Sequence, residues 1–182
     1  GTGSFVPEKV LTNEDLSRMV DTSDEWITKR VGVKQRHVCT TETTTDMGVE
    51  ASLRALEDAG VSPQELDMII AASITADTIS PGLAGMVQNR LGAACPCFDI
   101  NAACPGFVFA LDVAAGFFAR KKVRKVLVVS AERMSGMIDW TDRSTCVIFG
   151  DGAGAAVLGE GDSYLTSVLT TKGGEDVISI PT

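Results

Sequence analysis

The chain has 182 residues, of which 45% are hydrophobic and 22% charged, and its formal net charge is −8. This composition is that of an ordinary globular protein and argues against a disordered or fibrous one. The negative charge disfavours nucleic acid and anionic membrane surfaces as partners, because both are bound mainly through Lys and Arg. No apolar run approaches the roughly 20 residues of a membrane span, and the first residues lack a signal-peptide pattern. We therefore expect a cytoplasmic protein.

The five cysteines are odd in number and lie in apolar contexts, which favours reduced thiols over a disulfide framework. Cys95 and Cys97 have C-x-C rather than C-x-x-C spacing, and the chain has only one histidine, His37. The number and spacing of these Cys and His residues therefore do not fit a zinc site. We expect no bound metal and no resident cofactor.

The first predicted helix begins in the segment around Thr22. Thr22 and Glu25 have the spacing of a capping box, which satisfies free N–H groups in the first turn of a helix. A short helix carrying Trp26 should follow. A longer helix is predicted over residues 45–59, where Val49, Leu53 and Leu56 form an apolar stripe, and Gly60 is its expected end.

Strands and helices alternate through the rest of the chain. A cap at residues 62–65 leads into an apolar run of strand length. This run, residues 68–72, is the first predicted strand of the alternation. Further strands are predicted at residues 97–100, 125–130, 146–149, 153–158 and 164–171, and helices at 82–91 and 105–120. The strands at 146–149 and 153–158 should form an antiparallel pair around a turn at 150–152.

Strands separated by crossover helices imply an α/β fold, with a mixed, mostly parallel sheet flanked by helices. No repeat, low-complexity tract or linker divides the sequence. We therefore treat residues 1–182 as one domain.

Cys104 is the strongest candidate for chemistry, because it lies between a predicted strand and a predicted helix. A helix N-terminus offers unpaired N–H groups and a partial positive charge, which favour the nucleophilic thiolate. Pro105 suits the first turn and moves Cys104 out of the α region, while Ala102, Ala103 and Gly106 leave room for a substrate. Many free cysteines are inert core residues, so local context leaves catalysis and packing both open.

Several segments in the right order resemble a known family. They are Gly-Thr-Gly-Ser at 1–4, Val-Asp-Thr-Ser-Asp-Glu-Trp-Ile at 20–27, Arg-Val-Gly-Val at 30–33 with Arg36-His37, Asn-Ala-Ala-Cys-Pro-Gly-Phe at 101–107, Trp-Thr-Asp-Arg-Ser-Thr at 140–145, and Phe-Gly-Asp-Gly-Ala-Gly-Ala at 149–155. Together they resemble the amino-terminal half of β-ketoacyl-acyl-carrier-protein synthase III, a thiolase-like condensing enzyme. Pro105 is a departure, since Ala or Ser is more familiar there.

The resemblance implies an acyltransferase that starts fatty-acid biosynthesis. In this family the cysteine, here Cys104, takes an acetyl group from acetyl-CoA, which is a substrate. Malonyl-acyl-carrier protein then attacks the acyl-enzyme with loss of CO₂. The backbone N–H of Cys104 would be one oxyanion-hole donor.

The same resemblance implies a coenzyme A site. Trp26 and Arg143 match residues that sandwich the adenine, and Thr22 and Arg30 match residues that contact the adenine and phosphate region. A Trp face and a planar guanidinium can both stack on a base. From local context alone, Trp26 could instead anchor packing, Thr22 could be only a cap, and Arg143 could form a surface ion pair.

Two further features are explained by structure rather than by ligand binding or catalysis. Residues 149–154 resemble a phosphate-binding loop, but they precede a predicted strand rather than a helix, which favours a tight turn. His37 lies far before Cys104, and we interpret it as structural, because the family's catalytic His and Asn belong to its carboxy-terminal half.

Family members are nearly twice as long as this chain, so we expect that the carboxy-terminal half is absent and that the chain alone does not complete condensation. The family also forms homodimers through this half. The alternatives are a non-catalytic coenzyme A-binding or assembly module of the same fold, or another thiolase-like enzyme such as thiolase. The basic residues at 120–125 are a candidate docking surface for the acidic carrier protein, by charge alone.

Overall fold

The computed structural model describes residues 1–174. Its strands are β1 (Thr2–Phe5), β2 (Val10–Thr12), β3 (Gln35–His37), β4 (Met68–Ala72), β5 (Cys97–Ile100), β6 (Lys125–Arg133) and β7 (Asp151–Gly159). Its helices are α1 (Asn13–Ser17), α2 (Asp24–Arg30), α3 (Thr44–Ala59), α4 (Leu83–Leu91), α5 (Gly106–Ala119) and α6 (Arg143–Cys146), with 3₁₀ turns at Pro63–Glu65 and Met134–Gly136.

Five of the strands form one mixed sheet in the order β1-β7-β6-β4-β5. β4 pairs in parallel with both β5 and β6, while β7 runs antiparallel to β6 and to β1. β2 and β3 form a separate antiparallel pair. The predicted α/β architecture is confirmed. The three parallel strands matter most for function, because their carboxyl ends meet at one edge of the sheet.

Helices cover the sheet on two sides. On β4, Ile69 and Ala71 belong to the core beneath α3 and α4, whereas Met68 and Ile70 belong to the core beneath α5. This division follows from the strand's period of two, which sends alternate side chains to opposite faces. β4 is buried along its whole length. That explains why its sequence is a continuous apolar run rather than an alternating one.

α3 confirms the helix predicted at 45–59. Thr43 caps it with a reciprocal capping box, and Gly60 ends it in the left-handed conformation at φ 62°. Val49 and Leu56 are buried as expected, but Leu53 is 44% exposed, because α3 packs instead through smaller residues such as Ala51 and Ala55. Small residues on this face allow α3 to approach β1 closely. A Cβ on Gly3 would lie 2.2 Å from the Ala51 carbonyl oxygen.

The strand predicted at residues 146–149 is wrong. Cys146 instead ends α6, and with Val147 it is buried against Leu16 and Ile27, outside the sheet. Asp142 caps α6 by accepting the backbone N–H of Ser144 at 2.8 Å. A short apolar run fits a buried helix end as well as a strand, and here the cap decides for the helix.

The turn predicted at residues 150–152 is also wrong. β7 already begins at Asp151 and pairs with β6 over nine positions, from Arg133 opposite Asp151 to Lys125 opposite Gly159. The glycines at 152 and 154 therefore lie within a strand. Long-range pairing with β6 outweighs the local turn preference of glycine.

The strand predicted at residues 164–171 is wrong as well, because that segment has no regular structure. Tyr164 donates a hydrogen bond to Asp112 on α5 at 2.8 Å, and Ser167 donates to the same carboxylate oxygen. The segment thus lies against α5 rather than adding to the sheet. Polar and apolar residues alternate there, but the segment pairs with no strand in the described part of the chain.

Among residues 1–174, no helix is both long and apolar enough to cross a membrane. The same residues contain no cluster of three or more His, Cys, Asp or Glu side chains that could hold a metal ion.

Candidate active site

Cys104 lies where the sequence placed it, on the corner between β5 and α5. β5 ends at Ile100 and α5 begins at Gly106, with Pro105 as its N-cap. The Cys104 side chain is exposed. Its backbone N–H donates to no acceptor within the described part of the chain. The corner therefore presents both a thiol and an unpaired N–H group at the start of a 14-residue helix.

The backbone at this corner is strained. Ala103 has a positive φ of 47°, which is unfavourable for a residue with a Cβ. Gly106 fits tightly beneath it, since a Cβ there would lie 3.0 Å from that of Ala72 on β4. Strained residues of this kind persist where the surrounding structure fixes them, and they often occur at functional sites. This strain could not be predicted from the sequence, because alanine is not a residue that favours positive φ.

A carboxylate that sequence reasoning missed organises the same edge of the sheet. Glu132, near the end of β6, accepts the Ile74 backbone N–H at 2.9 Å and the Ser73 hydroxyl at 3.3 Å. Thr75 also donates to Glu132 and accepts the Arg133 N–H. These bonds fix the loop that follows β4. An acidic residue just after the strand predicted at 125–130 was the available signal.

Trp26, Arg30 and Arg143 form one cluster. The Arg143 guanidinium lies 4.9 Å from the centroid of the Trp26 ring, and that of Arg30 lies 5.1 Å from it. Both distances are within the range of a cation–π contact. Arg143 also donates to the Asp21 carbonyl at 2.7 Å. The structure thus brings together three of the four residues that the resemblance assigned to coenzyme A.

Thr22, the fourth of these residues, is not the cap of α2. Ser23 takes that position, and its side chain accepts the Trp26 backbone N–H at 3.1 Å. The capping box predicted for Thr22 and Glu25 is therefore wrong: Ser23, which has the extended backbone that a cap needs, caps α2 by a single hydrogen bond, and Trp26 at the third helical position cannot complete a box. The Thr22 hydroxyl is buried and has no hydrogen-bond partner among residues 1–174.

The segments that carry Cys104 and Arg143 both follow parallel strands, and they begin at the same edge of the sheet, where the carboxyl ends of those strands lie. β5 and β6 both run parallel to β4, so the segments that follow Ile100 and Arg133 emerge on the same side. α6, which carries Arg143, lies in the segment after Arg133. The topology therefore places a nucleophile and a cluster of aromatic and cationic groups at the edge where α/β proteins bind ligands.

The Phe-Gly-Asp-Gly segment at 149–152 has a structural role at this edge. The Asp151 carboxylate accepts the Cys39 N–H at 2.6 Å, the Ser135 N–H at 2.8 Å and the Ser135 hydroxyl at 2.5 Å. Gly150 packs against Arg36, where a Cβ would lie 2.9 Å from the arginine Cβ. The segment enters a strand, which agrees with rejecting a phosphate-binding loop.

The other four cysteines differ from Cys104, because each is buried or partly buried. Burial raises the pKa of the Cys39 thiol to about 12, with a further contribution from its hydrogen bond with Asp151. Burial likewise raises the pKa values of Cys95, Cys97 and Cys146. These thiols remain protonated near neutral pH and are poor nucleophiles.

His37 is held by a structural contact. His37 is the last residue of β3, and its Nδ1 lies 2.5 Å from the Pro7 carbonyl oxygen. This geometry agrees with its interpretation as a structural residue.

The basic residues 120–125 lie at the opposite edge of the sheet from Cys104. They connect the end of α5 to the start of β6, and a 14-residue helix is about 21 Å long. Lys125 pairs with Glu65, and the Arg124 and Lys125 backbone N–H groups bind Asp67. The separation argues against these residues as the surface from which a carrier protein would reach Cys104.

An open cleft of about 450 Å³ lies between α5 and the β7 end of the sheet, lined by Phe107, Ser130, Glu132 and residues 152–156 among others. Of the described residues, neither Cys104 nor the Trp26 cluster lines it. Phe107 nevertheless follows Cys104 by three positions. The lining of the cleft therefore includes the first turn of α5, the helix that begins at this corner.

Solved condensing enzymes share this fold. The crystal structure of 3-oxoacyl-[acyl-carrier-protein] synthase III from Aquifex aeolicus matches with a TM-score of 0.88 and 50% identity, over 90% of this chain and 54% of its own. The priming β-ketosynthase of the R1128 polyketide pathway matches with a TM-score of 0.86 and 43% identity, over 89% of this chain and 49% of its own. The fold is that of a thiolase-like condensing enzyme.

Sequence comparisons narrow this class. Residues 98–176 match the family model described as 3-oxoacyl-[acyl-carrier-protein] synthase III. Proteins named β-ketoacyl-[acyl-carrier-protein] synthase III from Clostridium acetobutylicum and Xanthomonas campestris are 48% and 52% identical over 100% and 94% of this chain. The resemblance predicted from the motifs is confirmed: the chain is similar over its length to proteins named β-ketoacyl-[acyl-carrier-protein] synthase III. It spans 57% and 53% of these two relatives, or about half.

Proposed function

We propose that this chain is the nucleophile-carrying, amino-terminal half of a β-ketoacyl-acyl-carrier-protein synthase III. One observation carries the proposal: the exposed thiol of Cys104 lies on a strained strand-to-helix corner, at the sheet edge that also bears the Trp26 cluster. A thiol alone would be weak support. The combination of a nucleophile and groups suited to an adenine nucleotide supports acyl transfer from coenzyme A.

In the first step the Cys104 thiolate attacks the thioester carbonyl of acetyl-CoA. The negative charge that develops on the carbonyl oxygen is accepted in part by the unpaired Cys104 N–H. The carbon–sulfur bond to coenzyme A then breaks, coenzyme A leaves as a thiolate, and the acetyl group remains on Cys104. A thioester is exchanged for a thioester, so the step needs no cofactor.

In the second step malonyl-acyl-carrier protein loses CO₂, and the resulting enolate carbon attacks the acetyl group on Cys104. The bond to the Cys104 sulfur breaks, and a β-ketoacyl-acyl-carrier protein is released. The groups that assist this step in the family are a His and an Asn of its other half. His37 is the single histidine of this chain, and its contact with Pro7 leaves it unsuited to that task.

Coenzyme A binding requires the Trp26 cluster to open. Two stacked contacts at about 3.5 Å each would separate the Trp26 ring from the Arg143 guanidinium by about 7 Å, whereas their present distance is 4.9 Å. Arg143 would leave the ring and clamp the adenine from its other face. Arg30 is exposed and would pair with a phosphate. The buried, unpaired hydroxyl of Thr22 would gain a partner at the adenine.

Calorimetric titration with coenzyme A tests this site. Arg143→Ala should weaken binding about tenfold, because loss of one stacking partner for a base costs roughly 1–3 kcal/mol. Arg90→Ala is the matched control, since Arg90 is similarly exposed but lies on α4 and pairs with Asp46 on α3. Equal affinities for the two variants would contradict the proposed site.

A condensation assay tests whether this chain alone can complete the second step. The purified 182-residue chain, given labelled acetyl-CoA and malonyl-acyl-carrier protein, should yield no ketoacyl product. Ketoacyl product from this chain alone would show that its own residues supply the second step, contrary to the proposal.

We also propose that the chain forms a homodimer. In the described sheet β5 pairs only with β4, so its outer edge has free N–H and C=O groups. Such an edge is suited to pairing with the same strand of a second copy. Sedimentation equilibrium would reveal a monomer if this is wrong.

A further inference from the structure

Arg36 is a buried arginine that faces no carboxylate. Only 4% of it is exposed, and within residues 1–174 no acidic group pairs with it. Its hydrogen bonds go to neutral groups: Nη1 donates to the Leu11 carbonyl at 3.3 Å, and Nη2 donates to Asn13 Oδ1 at 2.9 Å and to the Val147 carbonyl at 3.1 Å. Burying a cation in this way is costly, so its retention calls for a role.

On one side Arg36 reaches the helix that carries Trp26. Asn13 is 2% exposed, and while its Oδ1 accepts from Arg36, its Nδ2 donates to Asp24 Oδ1 at 2.8 Å and to the Val33 carbonyl at 2.8 Å. Asp24 is the first residue of α2. Every polar atom of the Asn13 side chain is therefore engaged. A fully satisfied buried amide holds its partners in one arrangement.

On the other side Arg36 reaches the helix that carries Arg143. Val147 is the C-cap of α6, and its carbonyl is one of the groups that a helix leaves unpaired at its end. A cation is favourable at that position because it complements the helix dipole. Gly150, just beyond, packs against the Arg36 side chain with no room for a Cβ. The arginine thus fixes the end of α6 by a hydrogen bond and by packing.

We propose that Arg36 is a positioning residue that sets the spacing of α2 and α6, the helices that carry Trp26 and Arg143. Through Asn13 it holds α2, and through Val147 it holds α6, so the two sides of the coenzyme A slot are joined by one hydrogen-bond network whose centre, Arg36 and Asn13, is buried. The ligand assignment rests on the proposed function above. The positioning of Trp26 relative to Arg143 does not, because it is a property of the protein without ligand.

Fluorescence tests the positioning without any ligand. Trp140→Phe leaves Trp26 as the single tryptophan, and acrylamide quenching then reports how well Trp26 is covered. In this background Arg36→Met should raise the quenching constant and shift the emission to longer wavelength. Arg36→Lys keeps the charge but has one nitrogen in place of the two that reach Leu11, Asn13 and Val147, so it should give a smaller change.

Asn13→Asp provides a second variant for the case in which Arg36→Met does not fold. The new carboxylate still accepts from Arg36, but it faces Asp24 and the Val33 carbonyl, where Asn13 donated. We expect increased quenching of Trp26 here too. Val87→Ala is the control, because it opens a cavity under α4, far from the network, and lowers stability alone.

Coenzyme A affinity is the second readout. Arg36→Lys and Asn13→Asp should each raise the dissociation constant about tenfold, while Val87→Ala should leave it unchanged. Unchanged Trp26 quenching in the folded Arg36→Lys and Asn13→Asp proteins would overturn the inference, as would an equal change in Val87→Ala. A wild-type chain that does not bind coenzyme A would refute the proposed function instead, and the quenching comparison would still decide the role of Arg36.

Discussion

At the scale of single residues, the chain separates one exposed thiol from four protected ones. Cys104 stands on a corner of the backbone, while Cys95 and Cys146 are buried and Cys39 and Cys97 are partly buried. Desolvation disfavours the charged thiolate, which is why the pKa values of these four rise above that of a free cysteine. Reactivity in this protein is therefore set by position rather than by residue type.

Alkylation should follow the same order. A brief exposure to iodoacetamide near pH 8 should modify Cys104 first, because the raised pKa values keep the other thiols protonated at that pH. Peptide mapping by mass spectrometry gives the order directly. Labelling of Cys39 before Cys104 would be incompatible with a pKa of about 12 for Cys39.

Some features of the site could be predicted from the sequence and others could not. The position of Cys104 followed from a strand pattern before it and a helix pattern after it. The strain at Ala103 could not be foreseen, since nothing in an alanine signals positive φ. Nor could the burial of Arg36, because an arginine is normally exposed and its partners Asn13 and Val147 are distant in the chain.

At the scale of elements, close contact between α3 and β1 depends on glycine. Gly3→Ala would bring a Cβ to 2.2 Å from the Ala51 carbonyl oxygen and 2.4 Å from the Ala55 nitrogen, both backbone atoms of a helix. Such overpacking should lower the free energy of unfolding by about 2 kcal/mol or more. Urea denaturation measures the change.

Gly154→Ala is the matched control for that substitution. Gly154 lies on β7, opposite Ser4 in the pairing with β1, and a Cβ there meets nothing within 4 Å. Its free energy of unfolding should stay within about 0.5 kcal/mol of the wild type. If both alanine variants are equally stable, close packing at Gly3 is not the reason for that glycine.

Acid should weaken the start of α3. The Thr43 backbone N–H lowers the pKa of Asp46 from its usual 3.8, and Arg90 adds to the effect. A carboxyl group with a lower pKa in the folded state stabilises the protein above the unfolded value, and the stabilisation is lost as the pH falls through the folded value. Asp46→Asn should therefore cost roughly 1 kcal/mol at pH 7 and progressively less below pH 3.8.

Urea unfolding across this pH range checks the Asp46 prediction. Glu50→Gln is a suitable control, because Glu50 is exposed on the same helix and has no hydrogen bond or ion pair among the described residues. A pH-independent difference between wild type and Asp46→Asn would contradict the capping role.

The helices were easier to predict than the later strands. α3 has a regular apolar period and a glycine at its end, so local signals sufficed. β7 was misjudged at its start because its glycines suggest a turn, while its actual conformation comes from pairing with β6. The strand predicted from the apolar run at 146–149 was wrong for a related reason. Its burial against Leu16 and Ile27 depends on a part of the chain more than 100 residues away.

At the scale of the whole molecule, the sheet brings the segments that carry Cys104 and Arg143 to the same edge. Parallel pairing of β5, β4 and β6 brings the segments after Ile100 and Arg133 to one edge, and the N-terminal module of α1, α2, β2 and β3 packs beside α6. The α/β class was predictable from alternation of elements. The insertion of β7 between β6 and β1 was not, because long-range strand order leaves no local pattern.

The central claim is that Cys104 accepts an acyl group from acetyl-CoA, and intact-mass spectrometry tests it most directly. After incubation with acetyl-CoA, the wild-type chain and Cys39→Ala should each gain the mass of one acetyl group, and Cys104→Ala should gain none. Saturable coenzyme A binding with no adduct on the wild-type chain would contradict the claim and indicate a non-catalytic binding module. An adduct that persists in Cys104→Ala would equally contradict it, because another residue would then be the nucleophile.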